Sequence, residues 1–282
     1  MRNVFRNPDL QKQFNKTGYV VVDLLSPSEV DELLHLYEAI DGVKGTLRTN
    51  KDNTYELSFF EKDVLSKRRK FDAMYNFFKP HLDRFLDNYK PIIINLFNKQ
   101  QGIGEVPVHQ NWTFVDERQF TSVSVWCPLQ DVSRKNGTLE VVPGSHKVIC
   151  DYRGPSIPWV FDNLSEIMKE KYMVPLELRA GQVGIIDDGV IHYSGNNHTS
   201  DDRRAVQLIM KPAEAPTIHC YKDEVDDNII HILEVDDDFF FDFNMWDKPR
   251  GGRKLNSIRY PIKKLTEQEL LERCNRNLAA MV

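Results

Sequence analysis

Apolar and polar positions along the chain divide it into a helical first part and a strand-rich second part. Residues 18–24, GYVVVDL, form an apolar run of strand length. Ser26-Pro27-Ser28-Glu29 then supplies an N-cap and first turn, and Val30, Leu33, Leu34 and Tyr37 recur at helical spacing. Residues 43–58 are polar with turn residues and read as a long loop or a weak hairpin. Between 61 and 88, Phe71, Met74, Tyr75, Phe78, Leu82, Phe85 and Leu86 fall three and four apart around Pro80, which predicts two helices or one kinked at the proline. Residues 92–97 read as a buried strand. From 106 onward the period is that of strands: apolar runs at 106–115, 122–129, 139–142, 174–178, 183–191 and 205–210 are separated by Gly, Pro, Asn and Asp. Several short strands so punctuated predict a sandwich or jelly roll. Residues 151–171, with Pro155, Pro158 and Trp159 before a short helix, read as a surface excursion. Beyond 212 come acidic runs at 223–228 and 234–238, aromatic residues at 239–243, Trp246, a basic Gly-rich turn at 248–253 and a closing helix at 266–278. Phe239, Phe240 and Phe241 are expected to cover the open end of the sheets or a second copy of the chain, because three exposed phenylalanines are unusual for a monomer.

The expectation is therefore a mainly β (α+β) fold, a double-stranded β-helix or cupin-like jelly roll with flanking N-terminal helices. All 282 residues are read as one domain. The core spans about 92–212, preceded by a strand and helices at 15–90 and followed by an extension at 213–282. A hydrophobic fraction of 41% suffices for a large core, and a net charge of −5 gives no basic footprint for nucleic acid. Cys127, Cys150, Cys220 and Cys274 lie far apart with no CxxC pair, which points to a reducing compartment. The opening MRNVFRNPDLQKQF lacks a signal-peptide apolar run, and no apolar segment of ~20 residues could span a bilayer. A cytoplasmic protein with no membrane partner is expected.

The chemistry concentrates in the stretch at 180–212. Two β-like runs flank a Ser, Gly, Asn, His and Asp loop, and an antiparallel pairing would bring His192 and Arg203 to the same end of a sheet. Residues i and i+2 of a strand share a face ~6.6 Å apart, so His109 and Asn111 project together. A His-x-carboxylate pair with a distant His is a facial triad for non-haem Fe(II). Here the middle position is an amide. Extrapolated strand rise carries Asp187 and Asp188 ~13 Å or more from the metal end, and Asp116 and Glu117 farther still, so none of these is expected to take its place.

HQNWTFVDE (109–117), VSVWCPLQD (123–131), NGTLEVVPGSHK (136–147) and HYSGNN…RR (192–204) resemble the phytanoyl-CoA dioxygenase family of Fe(II)- and 2-oxoglutarate-dependent oxygenases, and the opening NKTGYVVVDLLSPSEVDELL (15–34) is similar to that family's N-terminal strand and helix. The resemblance covers residues 15 to about 212. It implies that His109, His192 and the residue at 111 hold iron, that Arg203 clamps the distal carboxylate of 2-oxoglutarate with Ser194 offering it a hydroxyl, and that Trp126 lines the co-substrate pocket. Asn136, Gly137, Pro143 and Gly144 would shape turns, and His146 is taken as structural. The implied reaction couples oxidative decarboxylation of 2-oxoglutarate by dioxygen to oxidation of a C–H bond in a small organic substrate. Asn111 stands where the family has Asp. It would be a weaker oxygen ligand, a gap of the kind that admits halide in halogenases, or a lost site in a non-catalytic binding protein. A cupin-like sugar binder or isomerase is a further alternative. The basic run Lys67-Arg68-Arg69-Lys70 is read as a solvated helix face, and the loop at 43–58, with Arg48 and Tyr55, as a candidate lid.

Overall fold

Residue alternation in three neighbouring strands builds the frame of the molecule. The computed structural model describes residues 2–40, 43, 47–49, 54–147 and 152–279. Its larger sheet runs in the order β1 (Tyr19–Asp23), β9 (Gln182–Asp187), β6 (Val123–Pro128), β11 (Arg203–Pro212), β4 (Tyr89–Lys99), β3 (Thr54–Leu57) and β2 (Leu47–Thr49). Because side chains alternate between faces, Leu96 of β4, Val123 and Val125 of β6, and Val206 and Leu208 of β11 pack on the outer face. There they meet Leu33 and Tyr37 of α2 (Pro27–Ala39) and Met74 and Phe78 of α3 (Val64–Leu82). The intervening positions, among them Asn95, Phe97, Trp126, Arg203, Gln207 and Ile209, line an internal cavity. One face of the sheet thus makes the helical core and the other makes the site.

A smaller sheet, β5 (Val106–His109), β10 (His192–Ser194), β7 (Leu139–Val141) and β8 (Val174–Pro175), closes the second side of the jelly roll. Trp126, Ile186 and Ala205 of the larger sheet cluster with Leu139 and Val141 of the smaller one. The run at 183–191, expected as one strand, is broken: β9 ends at Asp187, residues 188–190 turn, and the chain re-emerges as β10 in the other sheet. His192 and Arg203 therefore approach from opposite sheets and are not cross-strand neighbours.

The N-terminal elements follow the sequence closely. Ser26 and Glu29 form a reciprocal capping box on α2, and α1 (Pro8–Thr17) ends at Gly18 in the left-handed region. α3 runs unbroken through Pro80, which lies in its last turn and so interrupts little of the helix's bonding. The segment at 43–58 contains the hairpin β2–β3 at the sheet edge. Residues 50–53 and the side chain of Arg48 lie outside the described residues, as does Cys150.

The C-terminal extension adds a third sheet, β12 (Thr217–Lys222), β13 (Ile229–Val235) and β14 (Arg253–Arg259). Between β13 and β14, Phe240 and Phe243 are buried against Ile92, Ile93, Phe114 and Ile209. The aromatic segment covers the sheet end from within the chain. Its anchor is the basic run of α3: Lys67 donates to the Phe240 carbonyl, Arg68 pairs with Asp238 and stacks on Phe241, and Lys70 is buried with Glu61. That run is not the solvated face its charge predicted. The other helices are α4 (Ser165–Lys171) and α5 (Glu267–Ala279). No described helix is long and apolar enough to cross a membrane.

Candidate metal and carboxylate site

His109 and His192 are register partners across β5 and β10, with ring centroids 4.1 Å apart. Each ring is fixed by the same local device. His109 Nδ1 lies 2.7 Å from the Pro107 carbonyl and His192 Nδ1 lies 2.9 Å from the Val190 carbonyl, in each case two residues back. A carbonyl only accepts, so Nδ1 carries the proton and Nε2 keeps its lone pair for a ligand. Burial, reinforced by the neighbouring His109, holds His192 well below the usual imidazole range and hence neutral.

Asn111 follows on the chain leaving β5, and its backbone N–H is held by the Asp188 carbonyl at 3.0 Å. Its amide nitrogen donates to Ser124 Oγ and to Asp188 Oδ1, both at 2.9 Å, and Ser124 Oγ itself donates to Asp188 Oδ1 at 2.8 Å. Asp188 is fully buried, and burial raises its carboxyl to about 6 even though serine hydroxyls and the Asn111 amide draw it down. Asp187 is pushed up to about 8, by burial first and by the Glu117 charge second. The extrapolation that removed Asp188 from the site fails because the strand ends one residue before it. Glu117 also acts close by: it pairs with the buried Arg153, whose Nε donates to the Asn111 carbonyl at 2.7 Å.

On the facing sheet Arg203 is 2% exposed, and its Nε and Nη1 have no hydrogen-bond partner among the described residues. Its guanidinium lies 5.6 Å from the centre of the Trp126 ring, and burial lowers its pKa to about 10. A buried unpaired cation is costly, and a fold keeps one where a ligand supplies the countercharge. Its register partner Lys99 is also buried but is satisfied, donating to the Ser194 carbonyl at 3.0 Å, Ser194 Oγ at 2.6 Å and the Gly195 carbonyl at 2.6 Å. The Ser194 hydroxyl in turn donates to the Gly137 carbonyl at 2.8 Å. Serine at 194 thus lines the cavity with its hydroxyl already engaged by Lys99 and Gly137. Gly137 allows this close approach, since a Cβ there would sit 2.3 Å from the Gly195 carbonyl oxygen. His146 packs near Phe14 and reaches the Asn15 carbonyl.

His109, Asn111, Trp126, His192, Ser194 and Arg203 line one cavity of about 440 Å³. The sequence pattern missed Lys99, which reads as the polar end of an apolar strand, and Ser124 and Asp188, which carry no ligand spacing. Among the described residues no three His, Cys, Asp or Glu side chains gather as a metal site. The donor set is therefore two imidazoles and an amide whose nitrogen is turned toward Asp188 and Ser124, leaving its oxygen to ligate. Together with an unpartnered guanidinium across the cavity, this set fits a divalent metal and a dicarboxylate.

A jelly roll with a histidine pair on one sheet and a buried arginine on the other has the architecture of the non-haem iron, 2-oxoglutarate-dependent oxygenases. The chain belongs to the family described as Phytanoyl-CoA dioxygenase (PhyH), whose profile matches residues 14–205. Phytanoyl-CoA dioxygenase 1 of Oryza sativa subsp. japonica is 36% identical over 113 residues, 39% of this chain and 40% of that protein. Phytanoyl-CoA dioxygenase of Arabidopsis thaliana is 27% identical over 247 residues, covering 71% of this chain and 87% of that one. The matches to the rice protein and to a Dictyostelium discoideum homologue span 40% and 44% of those proteins' lengths. Among solved structures, the non-heme alpha ketoglutarate dependent carbocyclase SnoK superposes with a TM-score of 0.54 at 17% identity over 75% of this chain and 86% of its own. The epimerase SnoN in complex with Fe3+, alpha ketoglutarate and nogalamycin RO gives 0.53 at 21% identity over 90% and 96%.

Proposed function

We propose that this chain is an Fe(II)- and 2-oxoglutarate-dependent oxygenase that oxidises a C–H bond of a small, largely apolar organic molecule. The observation that carries the reading is Arg203, a buried guanidinium with two unpartnered nitrogens, opening onto the cavity that also holds the His109–His192 pair. Bound Fe(II) with 2-oxoglutarate would supply the oxidising chemistry. His109 and His192 would hold the metal through Nε2, their Nδ1 protons remaining on the Pro107 and Val190 carbonyls, and the Asn111 oxygen would complete the protein's share. Arg203 would take the distal carboxylate, a planar fork matched to two oxygens, and Trp126 would set its approach. Phe59, Phe60, Trp112, Ile157 and Trp159 line the rest of the cavity and would orient the target carbon and exclude water.

The lining also bears on the substrate. Apart from Arg203 and the histidines, its only charged side chain among the described residues is Asp162, already paired with Lys264 at 2.8 Å. An acyl or aromatic body fits these walls, whereas a diphosphate finds no cation besides Arg203 among the described residues. Dioxygen and this small molecule are the expected partners.

Anaerobic addition of Fe(II) and 2-oxoglutarate to the full chain is expected to give a visible charge-transfer band, and admission of air to release succinate. Asn111 favours one rival, a protein that binds without turnover. A band without succinate, even with candidate substrates, supports that rival, and no band at all overturns the oxygenase reading.

A further inference from the structure

We propose that Asp188 is the positioning residue that makes Asn111 an oxygen donor to the metal, and that the two form a reciprocal pair in which the carboxylate sits one residue behind the ligand. The role rests on the metal-site reading above. An amide offers either an oxygen or an NH2 group to a cavity, and only the oxygen can ligate a cation. Here the choice is made by the surroundings. Asp188 Oδ1 accepts from Asn111 Nδ2 at 2.9 Å and from Ser124 Oγ at 2.8 Å, and the same side of the amide nitrogen lies 2.9 Å from Ser124 Oγ. A carboxylate oxygen has no proton to give, so a flipped amide would set its oxygen against Asp188 Oδ1 and could regain Ser124 only by taking that hydroxyl proton away from the carboxylate. The network continues in one sense. Gln207 Nε2 donates to Ser124 Oγ at 3.3 Å, and Asn95 Nδ2 donates to Gln207 Oε1 at 3.0 Å. Every donor in the row points toward Asp188, which anchors it as the terminal acceptor.

The same contact explains why an acid is missing at position 111. With aspartate there, two carboxylates would meet where an N–H···O bond now stands, in a fully buried spot, and like charges at that distance repel. Asn111 and Asp188 thus divide the work of a ligating carboxylate: the amide supplies the oxygen atom and the acid behind it supplies the charge and the orientation.

The test is Co(II) binding to the full chain without dioxygen, read by calorimetry and by the cobalt d–d spectrum. Wild type is expected to bind and His192→Ala to lose binding. Asp188→Asn is expected to weaken Co(II) by about 10- to 100-fold, the usual cost of removing a group that orients a metal ligand. Asn111→Ala should weaken it comparably, and Asp188→Asn added to Asn111→Ala should cost nothing more, because Asp188 acts only through the amide. The swap Asn111→Asp/Asp188→Asn, which keeps one acid and one amide, should bind at least as well as wild type. Wild-type binding that Asp188→Asn leaves unchanged, or an equal loss in the Asn111→Ala background, overturns the role of Asp188 alone. Absence of wild-type binding overturns the metal site itself. Should Asp188→Asn not fold, the swap variant decides: affinity below that of Asn111→Ala overturns the pairing.

Discussion

Two cations, Arg203 and Lys99, face each other on neighbouring strands, both buried and with opposite needs. Lys99 has three oxygen acceptors, and its loss would strand the Ser194 and Gly195 carbonyls inside the protein. Lys99→Met should therefore destabilise the chain by roughly 3 kcal/mol in urea titration, the scale of leaving buried partners unpaired. Arg203 has desolvation to bear and no acidic partner among the described residues. Arg203→Met should leave the unliganded chain as stable as wild type or more so, by up to about 2 kcal/mol. The same variant should lose at least about 100-fold in 2-oxoglutarate affinity, since the clamp is a charge-assisted bidentate pair. A ligand-induced rise in Tm that persists in Arg203→Met would place the carboxylate elsewhere.

At the scale of elements, β12 carries His219 into the aromatic cluster, where Phe239, Phe240, Phe243 and Trp112 surround it and its Nε2 has no partner among the described residues. Burial alone lowers its pKa to about 4. The unfolded chain, with an ordinary imidazole, binds a proton that the folded chain refuses. Stability is then fully present above about pH 6.5 and falls as pH drops toward 4, by at most about 3 kcal/mol from this group. His219→Leu should flatten that part of the profile in denaturant midpoints taken at pH 7.5, 5.5 and 4.5. An unchanged acid slope would assign the lability to other groups. Such elements also mark where the sequence was legible. The Ser26–Glu29 box and the helical spacing before Tyr37 announce α2 because capping and amphipathicity are local properties. That His109, His192 and Arg203 share one cavity was legible from the motifs that carry them. The break at Asp188 was not, since an apolar run continues on both sides of it and only packing decides that the chain changes sheets there. Lys99 and Ser124 were hidden for a related reason: their roles exist only in the register of strands far apart in sequence.

Across the whole molecule, the family match ends at 205, yet the remaining residues wall the site. Met245 lines the cavity, and Phe243 packs edge-on against Trp112, with centroids 5.8 Å apart, while Phe240 fills the space beneath at 3% exposure. Trp112 is the neighbour of Asn111, so the extension braces the cavity wall beside Asn111. Of the two expectations for the phenylalanines at 239–241, the structure shows the first: Phe240 is buried over the end of the sheets, with Phe239 packed beside it. Phe240→Ala removes a large buried side chain and should cost about 3–5 kcal/mol of stability by urea denaturation. The carboxylate site should survive this, because Arg203, His109 and His192 stand on β11, β5 and β10 and are held by contacts of their own. Calorimetry on the folded variant at low temperature should return a 2-oxoglutarate and Co(II) affinity within twofold of wild type, with the loss confined to substrate turnover. If the variant loses co-substrate affinity as steeply as stability, the extension and the jelly roll form one cooperative site, and the separation between metal wall and substrate wall does not hold.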